Sequence, residues 1–246
     1  VMDPTALATG RFTDDLFWSV SESGALKIFG SGSVAADACA LWAETEISSV
    51  TLEAGVTGIG SGAFAGLSGL RSVTAANLTS LGEGAFAGCT ALETVSLSGS
   101  LTVIPAGCFA QCPSIQTVVL PGTLEQAAGE EFGTNPETAF LFDGSILKFL
   151  SLFGPGHKVT AQEGVFTTSG NMKNGSWALS TGGSLYLCGE GSMEDYAQAS
   201  DAPWYAFKSN IKAVTVGQGI TRVGNLAFSG CTAVKTLQLA DSVTQI

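Results

Sequence analysis

The residues that could do chemistry are few, and their spacing assembles none of them. The only histidine, His157, stands between Gly154-Pro155-Gly156 and Lys158, a stretch that reads as a turn. General acid–base work needs a titratable group held in reach of the proton it moves, and a loop of this kind holds nothing. No Gly-x-Ser-x-Gly elbow joins a strand to a helix. Gly58-Ile59-Gly60-Ser61-Gly62 has the glycines of a dinucleotide loop, but no long helix or βαβ unit follows it. The six cysteines include no Cys-x-x-Cys pair and no cluster with histidine, so a zinc site is not expected. The acidic pairs Asp14-Asp15 and Glu130-Glu131 read as solvated, without EF-hand spacing. The chain is therefore read as a non-enzyme, with no metal and no cofactor.

What the sequence offers instead is periodicity. Ile59-Gly-Ser-Gly-Ala-Phe64-Ala-Gly66-Leu67 returns as Leu81-Gly-Glu-Gly-Ala-Phe86-Ala-Gly88-Cys89 and as Ile104-Pro-Ala-Gly-Cys-Phe109-Ala-Gln111-Cys112, with steps of 22 and 23 residues between the phenylalanines. A fixed period of this length marks a repeat solenoid. Each copy is joined to a Leu-x-x-Leu-x-Leu segment: Ile47-x-x-Val50-x-Leu52, Leu70-x-x-Val73-x-Ala75, Leu92-x-x-Val95-x-Leu97 and Ile115-x-x-Val118-x-Leu120. Alternation of period two predicts a short strand buried on one face. A second extended piece ends at Ile59, Leu81 or Ile104. The Gly-x-x-Ala-Phe segment is too short for an independent helix and predicts a single helical turn with its Phe inward. The expected fold is a β-rich α/β repeat solenoid, a leucine-rich-repeat-like right-handed coil of short parallel strands and single helical turns, with β-hairpin N-terminal caps.

This coil defines the candidate binding residues. Between the buried positions of each strand, the side chains face outward and stack along the array: Ser49, Thr51 and Glu53; Ser72 and Thr74; Thr94 and Ser96; Thr117 and Val119; then Ala213, Thr215, Thr236 and Gln238. The result is a hydroxyl ladder, open to two readings. Threonine suits a solvated strand face for its own sake; a hydroxyl row would also bind weakly per site and gain by multivalency.

Composition narrows the partners. Of the 246 residues only 13% are charged, about half the usual share, so Gly, Ser and Thr must carry much of the surface. A net charge of −11 argues against nucleic acid and against anionic membrane surfaces. No apolar run approaches the ~20 residues of a spanning helix. Val1-Met2-Asp3-Pro4 has no signal-peptide character, so an exported form would have lost its signal already. Cys89, Cys112 and Cys231 share one repeat position and read as small buried apolar residues. Rungs ~4.8 Å apart also lie within disulfide reach, so a Cys89–Cys112 bridge stays open.

The organisation follows. Residues 1–16 read as a loose lead-in, 17–46 as a β-hairpin cap and 47–142 as the repeat array. Residues 143–175 read as a capping segment and linker, the aromatic cluster Phe140–Phe153 being either a lid on the array or a partner site. Trp177-Ala-Leu179, Leu185-Tyr-Leu187 and Gly189 repeat Trp18-Ser-Val20, Leu26-Lys-Ile28 and Gly30 at an offset of 159. Residues 176–210 are thus a second hairpin cap, and 211–246 a second array, read as truncated. Its last strand, near Leu237–Leu239, would present an open edge with a tendency to self-associate.

The joint pattern, seen in Val56–Val73, Thr79–Leu97 and Ile220–Leu239, resembles the BspA-like leucine-rich repeats of bacterial cell-surface proteins of the gut-anaerobe type. Leu67 in place of Cys, Pro105 in place of Gly, and residues 128–175 depart from it. The resemblance implies a secreted or cell-surface protein that binds protein or glycan on a host or neighbouring cell without catalysis, and it brings no fixed ligand residues. A structural spacer that presents other domains is the alternative.

Overall fold

A computed structural model describes residues 6–42, 44–127, 132 and 137–246. They fall into two compact units, Val1–Leu141 and Phe142–Ile246.

The first unit opens with an antiparallel meander of β1 (Ala8–Arg11), β2 (Leu16–Val20) and β3 (Ala25–Gly30), followed by β4 (Gly32–Val34) and a 3₁₀ turn at Ala38–Trp42. The rungs come next: β5 (Ser49–Leu52) with β6 (Val56–Ile59), β7 (Ser72–Leu78) with β8 (Ser80–Leu81), β9 (Thr94–Gly99) with β10 (Val103–Ile104), and β11 (Thr117–Pro121) with β12 (Gln126–Ala127). β13 (Ala139–Asp143) follows β11 in the strand order. From β3 onward β5, β7, β9 and β11 join in parallel, while β4-β6-β8 and β10-β12 form narrower ladders. One strand is added per 22–23 residues because every rung must use its neighbour as the other wall of its core.

The expected helical turn appears as tight i→i−3 turns. Ala63 N–H bonds Gly60 O at 3.3 Å and Ala65 N–H bonds Gly62 O at 3.0 Å. The remaining donors reach across to the next rung: Phe64 N–H to Ala85 O at 2.8 Å, Phe86 N–H to Cys108 O at 2.9 Å, and Gly88 N–H to Ala110 O at 2.8 Å. These turns point the phenylalanines inward, where the rings of Trp42, Phe64, Phe86, Phe109 and Phe132 stack face to face at centroid distances of 5.4, 5.2, 5.3 and 4.8 Å. The stack is one ring per rung.

Residues 8–11, expected in the loose lead-in, are instead the first strand of the cap. Gly10 lies opposite Trp18, and a Cβ on it would meet the indole at 2.5 Å, so the glycine makes room for the ring.

The second unit holds α1 (Ile146–Phe153), β14 (Lys158–Ala161), β15 (Gly164–Met172), β16 (Gly175–Ser180), β17 (Ser184–Gly189), β18 (Gly191–Ser192), β19 (Ala213–Val216), β20 (Ile220–Arg222) and β21 (Thr236–Leu239). β14 to β17 are antiparallel neighbours, and β17, β19 and β21 run parallel. The expected linker is therefore structured. Its Ser169–Met172 belongs to β15, and Lys173-Asn174 is the hairpin turn into β16, with Asn174 at φ 63°. Ser145 caps α1 through Lys148 N–H, and Glu163 accepts from Ile146 N–H at 2.9 Å. The helix buries Ile146, Phe149, Leu150 and Phe153. Trp204 stacks on Phe228 at 5.9 Å, as Trp42 does on Phe64.

Candidate functional site

The strand registers bring the ladder residues together in two rows. Ser49 pairs with Ser72, Ser72 with Thr94 and Thr94 with Thr117; Thr51 pairs with Thr74, Thr74 with Ser96 and Ser96 with Val119. Successive members therefore stand one strand spacing apart, ~4.8 Å. Thr51 and Thr74 are exposed, whereas Ser49, Ser72, Thr94, Ser96, Thr117 and Val119 are half-buried. Lys27 heads the second row through its pairing with Thr51, and its ammonium meets Glu53 at 2.6 Å. In the second unit the matching row is Tyr186, Thr215 and Gln238, where Thr215 Oγ1 donates to Gln238 Oε1 at 3.3 Å; Ala213 pairs with Thr236 beside it.

A different set of hydroxyls holds rungs to one another. Ser48 Oγ donates to Ser23 O, Thr79 Oγ1 to Thr57 O, Ser114 Oγ to Thr90 O and Thr123 Oγ1 to Leu101 O, all between 2.7 and 2.9 Å. They occupy turns and strand ends, where each hydroxyl reaches a carbonyl of the previous rung; Thr57 O also accepts from Thr79 N–H at 2.8 Å. The ladder lies on the strands proper, whose backbone groups the sheet already pairs.

Sequence reasoning missed the aromatic pair at the head of this face. Phe17 and Phe29 are directly opposite in β2 and β3, half-buried and stacked at 5.9 Å. The signal was present, since both sit at positions that alternate with the buried Leu16, Ile28 and Val20.

The cysteines form no disulfide. Cys89 Sγ donates to Phe64 O at 3.2 Å and Cys112 Sγ to Phe86 O at 3.1 Å, so these two close the turn of the preceding rung as buried thiols, whereas Cys231, expected buried at the same repeat position, is half-buried. The neighbouring Cys112 thiol, then burial, push Cys89 well above the usual thiol range. His157 is half-buried, edge-on to Phe149 at 6.1 Å, and burial lowers its pKa. Each unit also carries an open cleft. One of about 850 Å³ lies between the Ala38–Trp42 turn and Ala65–Gly69. The other, about 550 Å³, lies between α1 and the ends of β17 and β19. Among the described residues no three His, Cys, Asp or Glu side chains gather as metal ligands.

A coil of parallel strands with one stacked ring and one tight turn per rung defines a leucine-rich-repeat solenoid. The chain belongs to the BspA type leucine rich repeat family, whose profile matches six copies over residues 39–149 and 201–246. Among solved structures it is similar to a leucine-rich repeat protein of Eubacterium ventriosum (18% identity, 97% of this chain and 73% of that one, TM-score 0.42). It is also similar to the leucine rich repeat protein of T. pallidum (15%, 93% and 82%, TM-score 0.37). A leucine rich cell surface protein of Faecalibacterium prausnitzii gives 16%, 99% and 78%, with a TM-score of 0.36. No curated protein matches the chain.

Proposed function

We propose that the chain is a non-catalytic interaction module of an exported bacterial surface protein, binding protein or glycan on a host or neighbouring cell through the outer face of its strands. Family membership supports an interaction repeat. The observation that carries the reading is the register of the two rows, Ser49–Ser72–Thr94–Thr117 and Thr51–Thr74–Ser96–Val119. Equal spacing along the coil suits a repetitive partner, because each weak hydroxyl contact makes the next one local and raises its effective concentration.

The test changes Thr51, Thr74 and Ser96 together to Lys. All three point outward from strands whose inner faces are buried, so the fold should survive and the circular dichroism and urea midpoint should stay close to the parent's. Binding on a glycan and matrix-protein array should disappear. A partner bound equally by the parent and the triple variant would move the site off this face. A parent that binds nothing on the array would favour a spacer that only presents other domains.

A further inference from the structure

The two units carry the same cap-to-array junction in two versions. Trp42 and Trp204 each stack on the first repeat phenylalanine, and Ile47 and Ile211 each open the first rung as buried residues. Four residues separate Trp42 from Ile47, and six separate Trp204 from Ile211.

In the second unit the longer connection fills the recess beside the repeat turn. Lys208 Nζ lies 3.6 Å over the Tyr205 ring. Both side chains rest against Gly230, where an added Cβ would stand 3.4 Å from Lys208 Cδ and 3.8 Å from Tyr205 Cε2. In the first unit the equivalent glycine is Gly66, with a similar φ of 74° against 79°, and among the described residues an added Cβ there would meet nothing within 4 Å. The recess is open, and it is the cleft of about 850 Å³.

Its lining reverses the charge. Counted back from the rung-opening isoleucine, Glu44 takes the position of Lys208. Glu46 joins it, its chain lying along Gly69 with Cγ 3.5 Å and Oε1 3.8 Å from where a Cβ would be. Leu67 supplies apolar surface, and Ser68 a hydroxyl. Where Trp204 Nε1 donates to Ala227 O at 2.8 Å, Trp42 Nε1 is buried with no acceptor among the described residues. A guest for such a recess has an apolar stem and a cationic head: carboxylates favour the charge, and the stem covers the apolar wall as lysine chains do.

We propose that the cleft between the Ala38–Trp42 turn and Ala65–Gly69 is a docking site for a lysine side chain of a partner protein, with Glu44 and Glu46 receiving the ammonium and Leu67 the stem. The second unit supplies this guest from its own chain; the first takes it from outside. The site is independent of the strand-face rows, since it is built from turns and not strands.

The experiment uses the full chain, ¹⁵N-labelled, and two peptides: acetyl-Tyr-Ala-Phe-Lys-Ser-amide, which copies residues 205–209, and the same peptide with norleucine for lysine. At low salt the lysine peptide shifts the amides of Ala65–Gly69, and the norleucine peptide binds about two- to fivefold more weakly, the factor that exposed ion pairs of this kind support. Glu44→Gln with Glu46→Gln removes that difference and leaves the rest of the spectrum in place. No shift at residues 65–69 up to millimolar peptide overturns the proposal. So does equal binding of the two peptides, or a lysine preference that survives the double substitution.

Discussion

Replacing Phe86 with Ala should cost about 5 kcal/mol, and the reason is the geometry of the rungs. A buried Phe→Ala change costs about 3–5 kcal/mol, the spread depending on how far the surroundings collapse into the void. Here they can hardly collapse. Phe86 is fully buried between Phe64 and Phe109, at 5.2 and 5.3 Å and within 13° of parallel. The rungs above and below are held apart by backbone bonds from Phe64 N–H to Ala85 O and from Phe86 N–H to Cys108 O. Each of the two ring–ring stackings that Phe86 makes is worth about 0.5–1.5 kcal/mol beyond burial, which puts the cost at the upper end. Phe86→Leu keeps most of the apolar volume but stacks on neither ring, so about 2 kcal/mol is expected. Native-state hydrogen exchange, read on peptides spanning 72–99, measures both changes in the unit that contains them. A double-mutant cycle then tests the stack as a stack: Phe64 and Phe86 should couple by about 0.5–1.5 kcal/mol, while Phe64 and Phe109, separated by Phe86, should add independently. A Phe86→Ala cost below about 2 kcal/mol, or coupling as large across the gap as between neighbours, would refute the argument.

The other expectations are narrower. Gly10→Ala and Gly170→Ala should each destabilise by about 1–3 kcal/mol as overpacking does, since a Cβ would stand 2.5 Å from the Trp18 indole and 2.8 Å from that of Trp177; urea midpoints that do not move would contradict it. Under native conditions a maleimide should label half-buried Cys39 and spare Cys89 and Cys108, which have no exposed surface, with peptide mass spectrometry as the readout and Cys89 labelling at the Cys39 rate as the contrary result. Because burial holds His157 below its ordinary value of 6.5, the unfolded chain binds its proton first as pH falls. Its contribution is complete above pH 6.5 and is lost below it, towards the folded pKa. The urea midpoint should therefore drop more between pH 7.5 and 5 in the parent than in His157→Asn, and parallel profiles would remove the effect.

The coil was legible because its determinants repeat. Period 22–23, the inward Phe and the alternating strand each recur at fixed offsets, so single-copy noise cancels. What the sequence hid occurs only once or sits in a weak frame. Residues 146, 149, 150 and 153 are apolar at i, i+3, i+4 and i+7, with Ser145 and Gly154 at the ends, a full amphipathic signature. The surrounding aromatics drew it into a general cap instead. β1 is only four residues long and polar, and its one marker is the pairing of Thr9-Gly10-Arg11 with Ser169-Gly170-Asn171, which becomes meaningful once each glycine is seen beneath its tryptophan. The ladder registers followed from the period alone. The open cleft did not, because it arises from a junction two residues shorter, and the effect of that length depends on how the junction packs.

The duplication also separates what the coil requires from what it leaves open. Residues that match between the copies, Gly10 with Gly170, Trp18 with Trp177, Ile47 with Ile211 and Phe64 with Phe228, either fill the interior or make room for a ring that does. Positions that differ lie outside that constraint: Phe17 answers to Ser176, Lys27 to Tyr186, Phe29 to Cys188 and Glu44 to Lys208. Each is exposed or half-buried on the outer strand face or at the junction, where solenoid packing accepts any of the pair. One backbone thus displays two different surfaces, and these four positions are among those by which a partner can distinguish the units. Exchanging the four residues of the first unit for those of the second should leave the phenylalanine stack intact while transferring whatever binding preference the parent's first unit has.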